Sequence, residues 1–514
     1  MGRWFTARLA SIALPGRQPV KLRDIALRPT LLLILAAALA FAPSIAGTWH
    51  LDDYSILGDP DYTTPGGALH LALSRVRPLT NLTLWANYQL HGDNPLGFHL
   101  LSLLLHLVAV WFARDALTRL LPPSAALLAV TVFALHPLQT EPVAYIYART
   151  TVLCGLFCWA AIAQWARGRH WIAVLMTALA LLSKEEAVAL PVFFAMRHLT
   201  GSGNPRQWRP IGVMFALALG TGLRGLVATA QIAGSGAGLD VATSPVDYAL
   251  AQGYVIVRYL RLLIVPLGLN FDPDLVISPA IGAVSWCAIL GLAAYLLRNQ
   301  AKAGFWFAAG LVFLAPTSSF LPIADLAADR RMYLASACFA ATVALLLPTI
   351  RPTHVAAVGV LLASLSFARS LVFRAEESLW RDTVAASPAK LRPRIQLSRA
   401  VPPAEALPLL ADLPQASSER GRVYLELGRP AEALREFGVA LAAAPGDPQA
   451  LSNRGTALAA LHQTDAAQRD FERALERDPC LYPALLNLRQ LGLPVPNLRT
   501  CRFNQRQKES LGLR

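Results

Sequence analysis

The chain has 514 residues, 55% of them hydrophobic and 15% charged, with a mean hydropathy of +0.43. That is too apolar for a soluble multidomain protein and too long for a single core. The formal charge of +14 falls mainly in short loops between hydrophobic runs. This is the positive-inside pattern of a membrane protein, which sets a nucleic-acid footprint aside.

Residues 1–29 are basic, with Arg3, Arg8, Arg17, Lys21, Arg23 and Arg28, and are placed in the cytoplasm. A first span is expected at about 30–46. Ser44, Ile45 and Ala46 before Gly47 weakly resemble a signal-peptidase site, but the leader is long and an uncleaved anchor is expected. Residues 47–95 then lie outside. Further spans are read at about 97–113, 124–136 and 150–166, with a short fifth reaching SKEE, a sixth returning to His198, and a seventh at 210–230. The stretch 248–265 is apolar but holds Arg258 and Arg261. It reads as an interfacial helix with both arginines on its polar side. Spans near 279–297, 303–320, 332–349 and 354–372 complete about eleven, so the C-terminus is placed outside. The membrane domain is thus 30–373.

From about Arg374 charge becomes frequent and long apolar runs stop. Residues 374–415 read as a linker with a degenerate helical repeat, 416–492 as repeats and 493–514 as a basic tail. The self-repeat has a spacing of 34. Gly421 matches Gly455, Ala433 matches Ala467, Phe437 matches Phe471, and Pro445 matches Pro479. Small residues where two helices touch, an aromatic wedge and a closing Pro form the tetratricopeptide pattern. Its usual Trp and Leu are missing, with Ser417 and Arg420 in their place. Such repeats bind peptides or partner proteins, or serve as a spacer or lid. The fold class is therefore all-α: a polytopic helical membrane domain followed by an extracytoplasmic α-solenoid.

Four cysteines, Cys154, Cys158, Cys287 and Cys338, fall in predicted spans and read as small apolar residues. Cys480 and Cys501 fall in the external domain, where an oxidising compartment would allow them to pair.

Polar residues gather at the external ends of the predicted spans. The carboxylate pair Asp52 and Asp53 follows the first span, in WHLDDYSIL. Arg75 and Arg77 come next, then His136, Gln139, Glu141 and Arg149 in HPLQTEPVAYIYAR. Lys184, Glu185 and Glu186 lie in SKEE, and Asp325, Asp329, Arg330, Arg331 and Tyr333 lie in ADLAADRRMYLAS. Ionisable groups near hydrocarbon are costly and are functional candidates by default. Arginines here can grip a lipid-linked phosphate bidentately, and a carboxylate beside them can act as general base for a hydroxyl. The competing readings are helix capping for the Asp pair and snorkelling or inter-loop ion pairs for the rest. GxxxxGK[ST], HExxH and GxSxG are absent, and AGSGAG at 233–238 has the spacing of a flexible loop.

WHLDDYSI, RPLTNLTLWANYQLHGDNPLGFHLLSLLLH, ALHPLQTEPVAYIYAR, LLSKEEAVALPVFF and DRRMYLAS occur in that order. This ordered set resembles bacterial relatives of the transmembrane O-mannosyltransferases with tetratricopeptide repeats, in the GT-C glycosyltransferase superfamily. The resemblance covers nearly the whole chain. It implies a polyprenyl-phosphate sugar donor used on the extracytoplasmic side, and the Ala- and Arg-rich composition suggests a bacterial inner membrane. It implies that Asp52 and Asp53 form the acidic motif that activates or positions the acceptor. The family's DRYLYLP-like motif maps onto Asp329, Arg330, Met332, Tyr333 and Leu334. Arg331 stands where the first Tyr would be, so the Arg assignment stays open between Arg330 and Arg331. The HPxQTE segment maps onto His136, Gln139 and Glu141.

The resulting expectation is an inverting glycosyltransferase. Asp52 is the base or the carboxylate that orients the acceptor, supported by Asp53. Arg330 or Arg331, with Arg77 and Lys184, binds the donor phosphate. His136, Gln139, Glu141, Arg149, Asp329 and Tyr333 line the sugar or acceptor site. No cofactor is required, although Asp52 and Asp53 with Glu141 could hold a divalent cation. The partners are the lipid-linked sugar and an acceptor protein or glycan, engaged in part through the repeats. The rival readings are a non-catalytic repeat scaffold and a ligase or transporter of lipid-linked glycans.

Overall fold

The computed structural model describes residues 27–201, 204–230, 243–496, 498 and 501–513. The basic residues before Leu27 and the AGSGAG run lie outside them. Among the described residues the chain is helical throughout, with no β-strand. It divides into two compact units, one of residues up to Asp53 plus Leu69–Ala375, the other of Tyr54–Ala68 plus Glu376–Arg514.

Proline starts many helices of the first unit, including Pro78–His91, Pro95–Leu120, Pro123–Leu135, Pro245–Ile264, Pro279–Asn299 and Pro352–Val372. A proline at the first helical position gives up an N–H that would have had no partner there. Asn94, Ser244 and Ser278 cap three of these helices by accepting a backbone N–H in the first turn. The centre of the unit is Arg149–Ala166, packed between Pro95–Leu120 and His170–Ser183. Within Ile146–Ala166 the apolar window is 89% buried, against 28% for both Pro279–Asn299 and Pro352–Val372. The last two therefore face outward, with Val284, Leu290, Val360 and Leu361 exposed. Apolar outer faces of this size are those of a membrane protein. Gly155 lets the central helix approach Met332–Leu346, because a Cβ there would sit 2.4 Å from the Tyr333 ring.

Four helices are long and apolar enough to cross a bilayer, and a fifth if Thr30–Ala46 and Leu51–Gly58, bent by 66°, are one broken span. Pro123–Leu135, His170–Ser183 and Ala301–Leu314 are apolar but shorter. The eleven spans expected from apolar runs are thus not matched by helix length. Several runs are split by polar turns such as HPLQTEP and SKEE, which leave helices below the roughly 20 residues a crossing needs. Residues 248–265 lie in one continuous helix, Pro245–Ile264, which is not among the crossing helices. Its arginines differ from the expectation. Arg261 is exposed, but Arg258 is buried and points inward.

In the second unit two helical hairpins follow each other, Ser417–Glu426 with Pro430–Ala443 and Pro448–Ala460 with Thr464–Arg477. They repeat the same contact. A Cβ on Gly421 would lie 2.6 Å from the Phe437 ring, and one on Gly455 would lie 2.7 Å from the Phe471 ring. Ala433, Phe437, Ala467 and Phe471 are fully buried. Pro445 and Pro479 follow the second helix of each hairpin. Arg420 pairs with Glu436 at 2.8 Å and Arg454 with Asp470 at 2.6 Å. These pairs are also in the repeat register, so an ion pair ties the first helix to the second in each hairpin, with Arg420 at one of the positions where the usual large apolar residues are missing. Helices Glu376–Ala386, Leu391–Ala400, Pro403–Leu410 and Tyr482–Gln490 flank the hairpins. The pairing anticipated for Cys480 and Cys501 is present as a disulfide, with Cα atoms 5.4 Å apart. Cys154, Cys158 and Cys338 are buried, while Cys287 is exposed. Tyr54–Ala68 joins this unit through Asp61, fully buried and paired with Arg502, and through Leu57, whose carbonyl accepts from Asn504 Nδ2 at 3.1 Å.

Phe471→Ala is expected to destabilise the second unit by about 3–5 kcal/mol, because it empties the wedge between two helices. Hydrogen exchange of the full chain should then show faster exchange in residues 448–490 than in the helices of the first unit.

Candidate active site

The two aspartates have opposite surroundings. The short turn Leu51–Asp53 follows the first helix, with Leu51 at φ 45°. It buries Asp53 completely and leaves Asp52 exposed. One Asp53 oxygen accepts the His50 N–H at 3.0 Å and the other accepts the Tyr147 N–H at 2.7 Å. Asp53 therefore ties the 50–53 turn to the 146–148 turn. Burial pushes its carboxyl well above the usual carboxylate range, and the two N–H groups act against that. Asp52 Oδ2 accepts the Tyr145 hydroxyl at 2.9 Å, and the Asp52 N–H donates back to the same oxygen at 3.2 Å. Asp52 is thus oriented but open to solvent.

Tyr145 links Asp52 to the first of two cationic groups. The charges of Asp53, Asp52 and Arg330 all act on its phenol. The phenol is buried against Phe271, whose ring centre is 5.3 Å away. Arg330 is held by Glu141, whose Oε1 accepts from Nη1 at 2.5 Å while Oε2 accepts the Arg330 N–H at 3.2 Å. Burial raises the Glu141 carboxyl, an effect that the Arg330 guanidinium partly offsets. The Arg330 side chain keeps 27% of its surface exposed, so part of the guanidinium can meet a ligand.

The second group surrounds Tyr147, on which the charges of Arg77, Asp52, Arg75 and Glu185 act. Arg77, in the left-handed backbone region at φ 63°, grips Glu185 with two N–H groups, one at 2.8 Å. Lys184 is nearly buried and spent on Glu186 at 2.6 Å and on Thr151 Oγ1 at 2.9 Å.

Several residues expected in the site are buried and have partners within the fold. Arg331 donates to the carbonyls of Thr317, Asp325 and Leu326, bracing the loop before it. Arg330, by contrast, keeps part of its side chain exposed and acts on the Tyr145 phenol. Asp329 is buried and pairs with Arg258 at 2.5 Å, while also accepting the Asn270 N–H at 3.1 Å. Tyr333 is buried and hydrogen-bonds His106 Nδ1 at 2.8 Å. Arg149 is fully buried, donating to Ser102 Oγ, Thr83 O and Phe98 O. His136 Nδ1 accepts the Leu138 N–H and its Nε2 meets Leu263 O at 3.1 Å. Gln139 is buried on Ser336 Oγ at 2.9 Å. In each case a buried polar group is satisfied by backbone or by a packed neighbour, as burial requires. Among the described residues no three His, Cys, Asp or Glu side chains gather as a cation site, so Asp52, Asp53 and Glu141 do not form the cluster considered above.

No family model matches the chain, and no solved structure matches it. Protein O-mannosyl-transferase TMTC4 of Mus musculus is 28% identical over 397 residues, 61% of this chain and 53% of the relative. Protein O-mannosyl-transferase F38B6.6 of Caenorhabditis elegans is 25% identical over 360 residues, 63% of this chain and 50% of the relative. Protein O-mannosyl-transferase Tmtc2 of Drosophila melanogaster is 33% identical over 221 residues, 38% of this chain and 23% of the relative. The chain is a relative of these protein O-mannosyl-transferases. It spans about half the length of the first two.

Sequence reading overlooked Tyr145, Phe271 and Arg258. The paired tyrosines of AYIYAR carried a signal, since Tyr145 and Tyr147 lie either side of one residue and reach the two cationic groups separately. Phe271 and Arg258 carried none, because only the fold brings them to the site.

The two aspartates should separate in stability measurements. Asp53→Asn turns one acceptor into a donor facing a backbone N–H and is expected to cost about 1–3 kcal/mol. Asp52→Asn keeps an oxygen for Tyr145 and should stay within about 0.5 kcal/mol. Thermal melting of the two purified variants in detergent checks both values.

Proposed function

We propose that this chain is a membrane glycosyltransferase that moves a sugar from a polyprenyl-phosphate donor to an acceptor hydroxyl on an extracytoplasmic protein. The observation that carries the reading is the exposed Asp52 carboxylate, oriented by the Tyr145 hydroxyl at 2.9 Å, with the Arg330 guanidinium acting on that same phenol. The names of the relatives point to the same reaction class. In this reading the acceptor O–H attacks the anomeric carbon, and Asp52 takes its proton. The bond from that carbon to the phosphate oxygen breaks, and the polyprenyl phosphate leaves with the electron pair. Arg330 takes up the charge that develops on the phosphate, with the exposed part of a guanidinium that Glu141 and Asp325 hold in place. Arg77 steadies the other side of the site. The repeats of the second unit present the acceptor protein. The scheme asks for no metal ion, and it places the protein in a bacterial inner membrane with the site on the periplasmic side.

Asp52→Asn is expected to lower transfer on the order of 10²–10⁴-fold, the ordinary contribution of a general base. The check is mass spectrometry of extracytoplasmic proteins and glycolipids from wild type, a deletion strain, and the deletion carrying Asp52→Asn. A hexose-sized mass should vanish on deletion and stay absent with the Asn variant. If the Asn variant restores every mass, Asp52 is not the base. If no mass differs between the strains, the non-catalytic scaffold reading takes its place.

A further inference from the structure

The other end of the central helix carries a second polar feature. Arg149–Ala166 has 18 residues, about 27 Å of helix. That is close to the roughly 30 Å thickness of a bilayer core. Past it the chain turns at Gly168, φ 77°, and enters His170–Ser183. Here a cleft of about 1020 Å³ opens, walled by Arg169, His170, Trp171, Arg206 and Arg209. No carboxylate lines it. The side chains of Arg169, Arg206 and Arg209 are exposed and have no ion-pair partner among the described residues. Arg167, two residues earlier, is by contrast spent on Asp115 at 3.0 Å.

Three further observations point to an anion. The helix His170–Ser183 begins without a side-chain cap, and His170, Trp171 and Ile172 of its first turn line the cleft. Uncapped first-turn N–H groups and the positive end of the helix dipole favour a phosphate. The wall is also fixed in place. Gln207 bridges His198 Nδ1 at 3.1 Å and His170 Nε2 at 3.3 Å, and the His198 ring packs on Trp208 at 4.6 Å. Finally, an apolar track leaves the cleft along the same helix. Trp171 is 62% exposed and Leu175 56%. An exposed Trp beside basic residues is the composition of a membrane interface.

We propose that this cleft binds the phosphate headgroup of an anionic membrane lipid, with Arg169, Arg206 and Arg209 on the phosphate and the acyl chains along Trp171 and Leu175. The recognition chemistry is a phosphate anion, and the apolar track commits the source to a lipid. The proposal stands apart from the glycosyl-transfer reading, since none of its residues belongs to the Asp52 site.

The test uses the full chain in detergent, titrated with phosphatidylglycerol, with phosphatidylcholine and with inorganic phosphate, and read by native mass spectrometry. Each lost arginine should weaken phosphatidylglycerol binding about fivefold, so R169Q/R206Q/R209Q should lose about a hundredfold. The charge-keeping R169K/R206K/R209K should stay within a few fold of wild type. Phosphatidylcholine should bind weakly and equally to all three. Phosphatidylglycerol binding unchanged in the Gln variant overturns the proposal. Inorganic phosphate binding as tightly as the lipid, and lost in the Gln variant, overturns the lipid source and assigns the cleft to soluble phosphate. If the triple variant loses its helical circular dichroism, R209Q alone decides the matter through its expected fivefold loss.

Discussion

The carboxylate of Asp53, wholly buried and shared between the N–H groups of His50 and Tyr147, joins the turn after the first helix to the turn before the central one. Most of the site depends on that link. A buried carboxylate without donors would be too costly to keep. With two backbone donors it becomes a strut, and both turns lose their freedom to separate. Because Asp53 is turned inward, its neighbour Asp52 is turned out. Tyr145 then donates its hydroxyl to Asp52, and the charges of Arg330 and Arg77 act on Tyr145 and Tyr147 respectively.

Four ion pairs hold the polar turns of the first unit. Glu141 meets Arg330, Asp329 meets Arg258, Lys184 meets Glu186 and Arg77 meets Glu185. In a dry interior such pairs offset desolvation but seldom add net stability. Their value is geometric, since each holds a turn between two helices at a set position. Arg330 is held by two carboxylates, Glu141 on Nη1 and Asp325 at 3.7 Å from Nη2, and still keeps part of its surface exposed. That combination suits a group asked to accept charge without moving, because no reorganisation is needed when charge appears.

The second unit works with smaller forces. Glycine meets phenylalanine at one point in each hairpin, and an arginine and a carboxylate repeat in the same register. These partly buried pairs fix register more than they add stability. The buried aromatic wedges carry the packing, and the disulfide between Cys480 and Cys501 closes the chain beyond the last flanking helix. Tyr54–Ala68, far away in sequence, is part of the same unit through the buried Asp61.

Composition and periodicity by themselves determined that the chain is helical, that its first part is too apolar for water, and that residues near 421–479 repeat every 34. Those properties are local, because they depend on which side chains recur along the chain and at what spacing. Tertiary structure alone decided which side chains of the ordered polar segments are buried and which partners they take. Asp52 and Asp53 are adjacent in sequence, yet one is exposed and the other is a strut. Arg330 and Arg331 are adjacent, yet one pairs with Glu141 and the other braces a loop. His136, Gln139, Arg149, Asp329 and Tyr333 stand out as polar residues in the sequence, and the fold buries each of them against a partner. The physical reason is that burial and partner choice are set by which backbone groups arrive from distant turns, and one chain's residue order does not specify those arrivals.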